Sequence, residues 1–255
     1  MSDDAQHLAR MKETYERRLK ILEQQAATFG ISAPAHILIE IEDLKAKLAA
    51  LEAPSSTDVP QSGTHTNDMP TRILFLAADP TNAARLRLGE EFRDIQEKLQ
   101  MAKLRDKFEL HQRMSVRPTD ISQALLDVQP HIVHFSGHGE EEGALSFENL
   151  TGQIHPVEPS ALAALFEQFA DGVQCVLLNA CYSRKQANAI AKHIPYVIGM
   201  KRAIGDRAAI AFAIGFYQAI GAGRTIPQAF ELGTVQIRLQ GIEEHLTPVL
   251  VKKKG

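Results

Sequence analysis

The apolar residues fall into three successive patterns. From Asp3 to Glu52 they recur at helical spacing, with Leu8, Met11, Tyr15, Leu19, Leu22 and Ala26 marking one helix. The segment FGISAPA interrupts this pattern. Ser32 can then cap a second helix that has Pro34 in its first turn. In that helix Ile37, Ile41, Leu44, Leu48 and Leu51 follow a 4-3-4-3 spacing, the seam of a helix packed on another helix. The spacing predicts an α-helical hairpin over 1–52. Such a hairpin buries little alone, so it is expected to self-associate or to dock on another surface. Next, APSSTDVPQSGTHTNDMP is rich in Ser, Thr and Pro and predicts a flexible linker over 53–70.

From residue 71 to 255 strand and helix patterns alternate. ILFLAA (Ile73–Ala78) is a continuous apolar run, as in a strand buried on both faces. Helical periodicity runs from Ala83 to Lys103, and Phe108–Val116 alternates like a strand. A short helix to Val128 precedes a strand, His131–Gly137, and a helix, Pro159–Phe169, precedes the buried strand Val173–Ala180. A further helix, the strand YVIGM, helices over Asp206–Ala222 and Ile226–Gln240, and a last strand Thr247–Lys252 complete the series. This order predicts an α/β fold with a mostly parallel sheet and helices on both faces. In such sheets chemistry sits at the carboxyl ends of the strands.

Two predicted strand ends carry reactive side chains. One ends in Ser136-Gly137-His138-Gly139-Glu140 and the other in Asn179-Ala180-Cys181-Tyr182. His138 and Cys181 are 43 residues apart, about one helical crossover, so their strands are expected to be neighbours. A thiolate is the nucleophilic form of cysteine, and an imidazole titrates near neutrality and can take the proton. Gly139 lacks a side chain, so its N–H can approach an oxyanion closely, and the Cys181 N–H is a natural second donor.

Gly-His-Gly-Glu after one apolar strand and Asn-Ala-Cys after another resemble the dyad of caspase-like cysteine peptidases. The chain looks most like the CHAT family, whose members carry His-Phe-Ser-Gly-His-Gly and Asn-Ala-Cys much as here. Residues 200–223 (MKRAIGDRAAIAFAIGFYQAIGAG) also resemble it. The resemblance covers roughly residues 71–255. It implies that His138 is the base, Cys181 the nucleophile, and Gly139 with Cys181 the oxyanion hole. In related metacaspases, one acidic residue after the first strand and another two positions before the cysteine bind a basic side chain. Asp79 keeps the first of these acids, while Asn179 stands in place of the second; a carboxylate and an amide can still receive Arg, which points to cleavage after Arg or Lys. The family also implies a bacterial defence or cell-death effector, switched on here by a sensor or adaptor recruited through residues 1–52.

Composition narrows the field. A formal net charge of -3 shows no footprint for nucleic acid. Cys175 and Cys181 are the only cysteines, too few for a disulfide framework. No His or Cys cluster has metal spacing, so neither metal nor cofactor is expected. His131 and His134, three apart on a strand, point to opposite faces. The charged N-terminus and the short apolar runs predict a cytoplasmic protein with no membrane partner. Plainer readings stand beside these. Cys181 could be a core residue and Asp79 a helix cap. The whole chain could also be a non-catalytic scaffold that oligomerises through its N-terminal helices. GAGRT (Gly221–Thr225) lacks the lysine of a phosphate loop and reads as a helix terminator.

Overall fold

The structure is a computed structural model that describes residues 70–254 and the isolated positions Leu19, Lys20, Glu23 and Ile41. The expected hairpin over 1–52 and linker over 53–70 lie outside the described residues, apart from those positions and Pro70. The chain divides into two units, Met1–His65 and Thr66–Gly255, and the second carries the fold below.

A six-stranded sheet runs in the order β2-β1-β3-β7-β8-β9. Its strands are β1 (Thr71–Ala77), β2 (Phe108–Arg113), β3 (Ile132–Ser136), β7 (Cys175–Asn179), β8 (Tyr196–Met200) and β9 (Pro248–Lys252). All neighbours are parallel except β8 and β9. β3 and β7 are fully buried, as their predominantly apolar sequences favour. Period-two alternation divides their side chains. Val133, Phe135, Val176 and Leu178 join one core layer, while Ile132, Cys175 and Leu177 join the other.

Helices α2 (Pro118–Val128), α3 (Pro159–Glu167) and α4 (Arg184–Ile190) cover the first face. Helices α1 (Leu88–Gln100), α5 (Asp206–Gly221) and α6 (Ile226–Leu239) cover the second. The GAGRT segment does terminate a helix: α5 stops at Gly221, and Gly223 turns the chain with φ +76°. Thr225 and Gln228 then form a reciprocal cap on α6.

Two features depart from the sequence expectation. Residues 83–87, expected to be helical, run as an open loop, and α1 begins only at Leu88. Between β3 and β7 the chain also forms a second, antiparallel sheet of β4 (His138–Gly139), β5 (Leu145–Glu148) and β6 (Ile154–Val157). Its strands are two to four residues long, too short for periodicity to reveal.

Helices α5 and α6 approach at glycines. A Cβ on Gly233 would stand 2.7 Å from the Phe212 ring, and one on Gly215 would stand 2.7 Å from the Leu232 carbonyl oxygen. Gly233→Leu is therefore expected to lower stability by about 2 kcal/mol through overpacking. A urea unfolding midpoint equal to wild type would contradict this close approach.

Candidate active site

The parallel register sets Ser136, the last residue of β3, directly beside Asn179, the last residue of β7. Two residues beyond each lie His138 and Cys181, and both line one cleft at the carboxyl edge of the sheet. Leu86, Arg87, Glu91, Ile204, Asp206 and Ile210 contribute to its walls.

Gly137 and Gly139 permit the backbone packing at this point. A Cβ on Gly137 would meet the Phe135 ring at 2.8 Å, and one on Gly139 would stand 1.9 Å from the Cys181 carbonyl oxygen. The histidine strand thus lies directly on the cysteine loop. Glu140 N–H donates to the Ala144 carbonyl at 3.0 Å. Hydrogen-bonded pairs alternate along an antiparallel ladder, so the neighbouring Gly139 N–H is directed away from β5. The Cys181 N–H donates to no backbone carbonyl among the described residues.

His138 Nε2 lies 2.7 Å from the Ala84 carbonyl oxygen. A carbonyl only accepts, so the hydrogen sits on Nε2, and the neutral ring keeps its lone pair on Nδ1. This contact explains the open loop over 83–87, because the Ala84 carbonyl serves the imidazole instead of a helical turn. Cys181 is half-buried, and its Sγ accepts the Ile204 N–H at 3.4 Å and lies 3.7 Å from the Ile204 carbonyl oxygen. Tyr182, the next residue, has φ +54°, an uncommon conformation for a non-glycine residue at the turn that presents the thiol. Ser183 anchors that turn, donating to the Leu178 carbonyl at 3.0 Å and accepting the Met200 N–H at 2.9 Å. Cys175 is sealed in the sheet, and burial pushes its thiol far up.

A buried polar cluster forms the floor of the cleft. Glu91 on α1, only 3% exposed, accepts the Ser136 hydroxyl and the Asn179 amide, each at 2.5 Å. His134 Nε2 lies 3.0 Å from the same carboxylate without the alignment of a hydrogen bond. The opposite His134 nitrogen lies 3.2 Å from the Tyr217 hydroxyl. Burial pushes the Glu91 carboxyl up, but the adjacent His134 and the bonds from Ser136 and Asn179 outweigh it. The net result holds the group below its ordinary value of 4.5.

Of the residues read from sequence, His138, Cys181 and Asn179 line the cleft, Gly139 packs against the Cys181 carbonyl beside it, and Asp79 does neither. Asp79 is absent from the cleft lining; it pairs with Arg85 at 2.9 Å, and its N–H donates to Glu148 at 3.1 Å. Nor does it cap α1, whose N-cap is Arg87. The carboxylates that line the cleft are Glu91 and Asp206. Glu91 had a readable signal: it shares the buried stripe of α1 with Leu88, Ile95 and Leu99, where a charge is out of place. Among the described residues, no group of three His, Cys, Asp or Glu is placed to hold a metal, and no helix is long and apolar enough to cross a membrane.

The family model for the CHAT domain matches residues 40–245. A Roc-COR-CHAT protease from an unknown prokaryotic organism is 28% identical over 191 residues, 72% of this chain and 18% of that protein. A probable protease from Gillisia limnaea is 26% identical over 153 residues, 59% of this chain and 27% of its own length. The chain thus spans only a minor part of either relative.

Among solved structures, a secreted C11 cysteine protease from Bacteroides thetaiotaomicron, bound to an irreversible peptide inhibitor, aligns with TM-score 0.55 at 12% identity. That alignment covers 72% of this chain and 66% of the other. Caspase-1 from Spodoptera frugiperda aligns with TM-score 0.52 at 12% identity, over 79% and 94% of the two chains. These likenesses establish a caspase-like fold. With a family match across most of its length, the chain belongs to the CHAT domain family.

Proposed function

We propose that the chain is a caspase-like cysteine endopeptidase with His138 as base and Cys181 as nucleophile. The observation that carries this reading is the shared cleft that His138 and Cys181 both line, while the Ala84 carbonyl fixes the Nε2–H tautomer. Nδ1 takes the thiol proton, and the sulfur attacks the scissile carbonyl. The Gly139 and Cys181 N–H groups receive the oxyanion. His138 returns the proton to the leaving amine, then activates the water that hydrolyses the thioester.

Specificity for Arg or Lys follows from the cleft chemistry. Arg87 is engaged by Glu90, and Glu91 is committed to its internal partners. Asp206 forms no ion pair among the described residues, so its carboxylate is left for an incoming cation. Asn179 Oδ1, buried and without a protein partner, lies in the wall behind this site. Leu86, Ile204 and Ile210 can flank the aliphatic stem. Asp206 thus takes the role first assigned to Asp79.

Ile204 touches the resting sulfur through weak contacts, so a shift of the loop at 201–205 would change the reactivity of the thiol. Such tuning fits an effector switched on by a partner bound through residues 1–52, in bacterial defence or cell death. A relative whose name joins CHAT to Roc-COR supports control by accompanying modules. The linker at 53–70 would keep the peptidase near whatever the N-terminal unit binds.

Replacing Cys181 by Ala is expected to abolish peptide cleavage by the activated protein, and cleavage by that variant would exclude the mechanism. On fluorogenic peptides differing only before the cut, Arg and Lys are expected to be preferred. Asp206→Asn should lower kcat/KM for those peptides about tenfold or more, the worth of a charge-assisted hydrogen bond, and leave Leu peptides little changed. Equal or better turnover of Asp- or Leu-ending peptides would refute the specificity.

A further inference from the structure

The cleft accounts for the dyad but not for the charge buried beneath it. An ionised carboxylate in a protein interior rarely favours the fold over an apolar side chain of similar volume. Glu91 nevertheless occupies the apolar stripe of α1, between Leu88 and Ile95. Its placement is specific. Ser136 and Asn179 are terminal residues of adjacent parallel strands, directly paired in register. Each lies two positions before a dyad residue. One carboxylate receives a hydrogen bond from both, so a single side chain spans the two strand ends from which His138 and Cys181 emerge.

The cluster also reaches α5. The Asn179 amide donates to the Ala209 carbonyl at 3.2 Å as well as to Glu91. The amide orientation is thereby set by two acceptors. His134 stacks on Tyr217 of α5, with ring centroids 5.8 Å apart and planes 12° apart. Two helices and two strands thus converge on one acceptor-only group. A carboxylate suits this position because it accepts from both Ser136 and Asn179, whereas a glutamine would turn an NH2 toward at least one of them.

We infer that Glu91 is a positioning residue for the dyad: its carboxylate holds the ends of β3 and β7 at a fixed separation, which keeps His138 and Cys181 in proton-transfer register. This inference rests on the dyad reading above. It assigns Glu91 no contact with the reacting atoms.

The test is the rate of Cys181 alkylation by iodoacetamide in the full chain, read by mass spectrometry. It needs neither substrate nor activator, and buried Cys175 does not compete. His138→Ala should slow wild-type alkylation about tenfold, the advantage of a base-assisted thiol. Glu91→Gln should slow it about fivefold or more, and adding His138→Ala to that variant should then change little, the coupling of groups that act together. Leu99→Ala, on the same buried face of α1, should lower the melting temperature but stay within about twofold of the wild-type rate.

Glu91→Gln alkylating at the wild-type rate, or no slower than Leu99→Ala, would overturn the inference. Should Glu91→Gln not fold, Ser136→Ala removes one arm of the bridge, and an unchanged rate there would overturn it equally. Wild type and His138→Ala reacting alike is a different failure, since it removes the dyad itself.

Discussion

Parallel pairing of β3 with β7 governs everything at the cleft. Parallel strands place successive carboxyl ends at one edge, and the register of Ser136 on Asn179 makes the following loops leave side by side. Glycine at position 139 then lets the histidine strand lie against the Cys181 carbonyl, where any side chain would force the two apart. A slip of one residue in this register would turn His138 and Cys181 to different sides, since the strand period is two. The same slip would turn Ser136 and Asn179 away from Glu91.

The sheet can hold this register because both of its faces are buried. Apolar side chains alternate between the two core layers along β3 and β7. Only His134, Ser136 and Asn179 break the apolar rule on these strands, and all three face α1 and α5. The polar exceptions are therefore not scattered. They gather around one carboxylate at the cleft floor, and the cost of burying Ser136 and Asn179 is offset because both donate to it.

Much of this was legible in the sequence, for definite reasons. Long apolar runs such as Ile73–Ala78 and Val173–Ala180 announce buried strands, and the helical stripes between them announce crossovers. His138 and Cys181 were visible as reactive side chains at two such strand ends, and the cleft does contain both. The second sheet was not legible, because strands of two to four residues leave no period. The loop at 83–87 carried a helical pattern, but a tertiary bond from His138 to the Ala84 carbonyl overrides local preference there. Asp79 was placed by analogy of position, and the chain itself supplies Arg85 to neutralise it. Glu91 escaped notice beside Glu90, since two acids in a first helical turn read as ordinary complements to the helix dipole.

The most direct measurement is covalent trapping of the full chain with an Arg-ending peptidyl acyloxymethyl ketone, followed by peptide mapping. The account predicts a single adduct on Cys181 that disappears in His138→Ala. An adduct on another residue, or one undiminished without the imidazole, would contradict it.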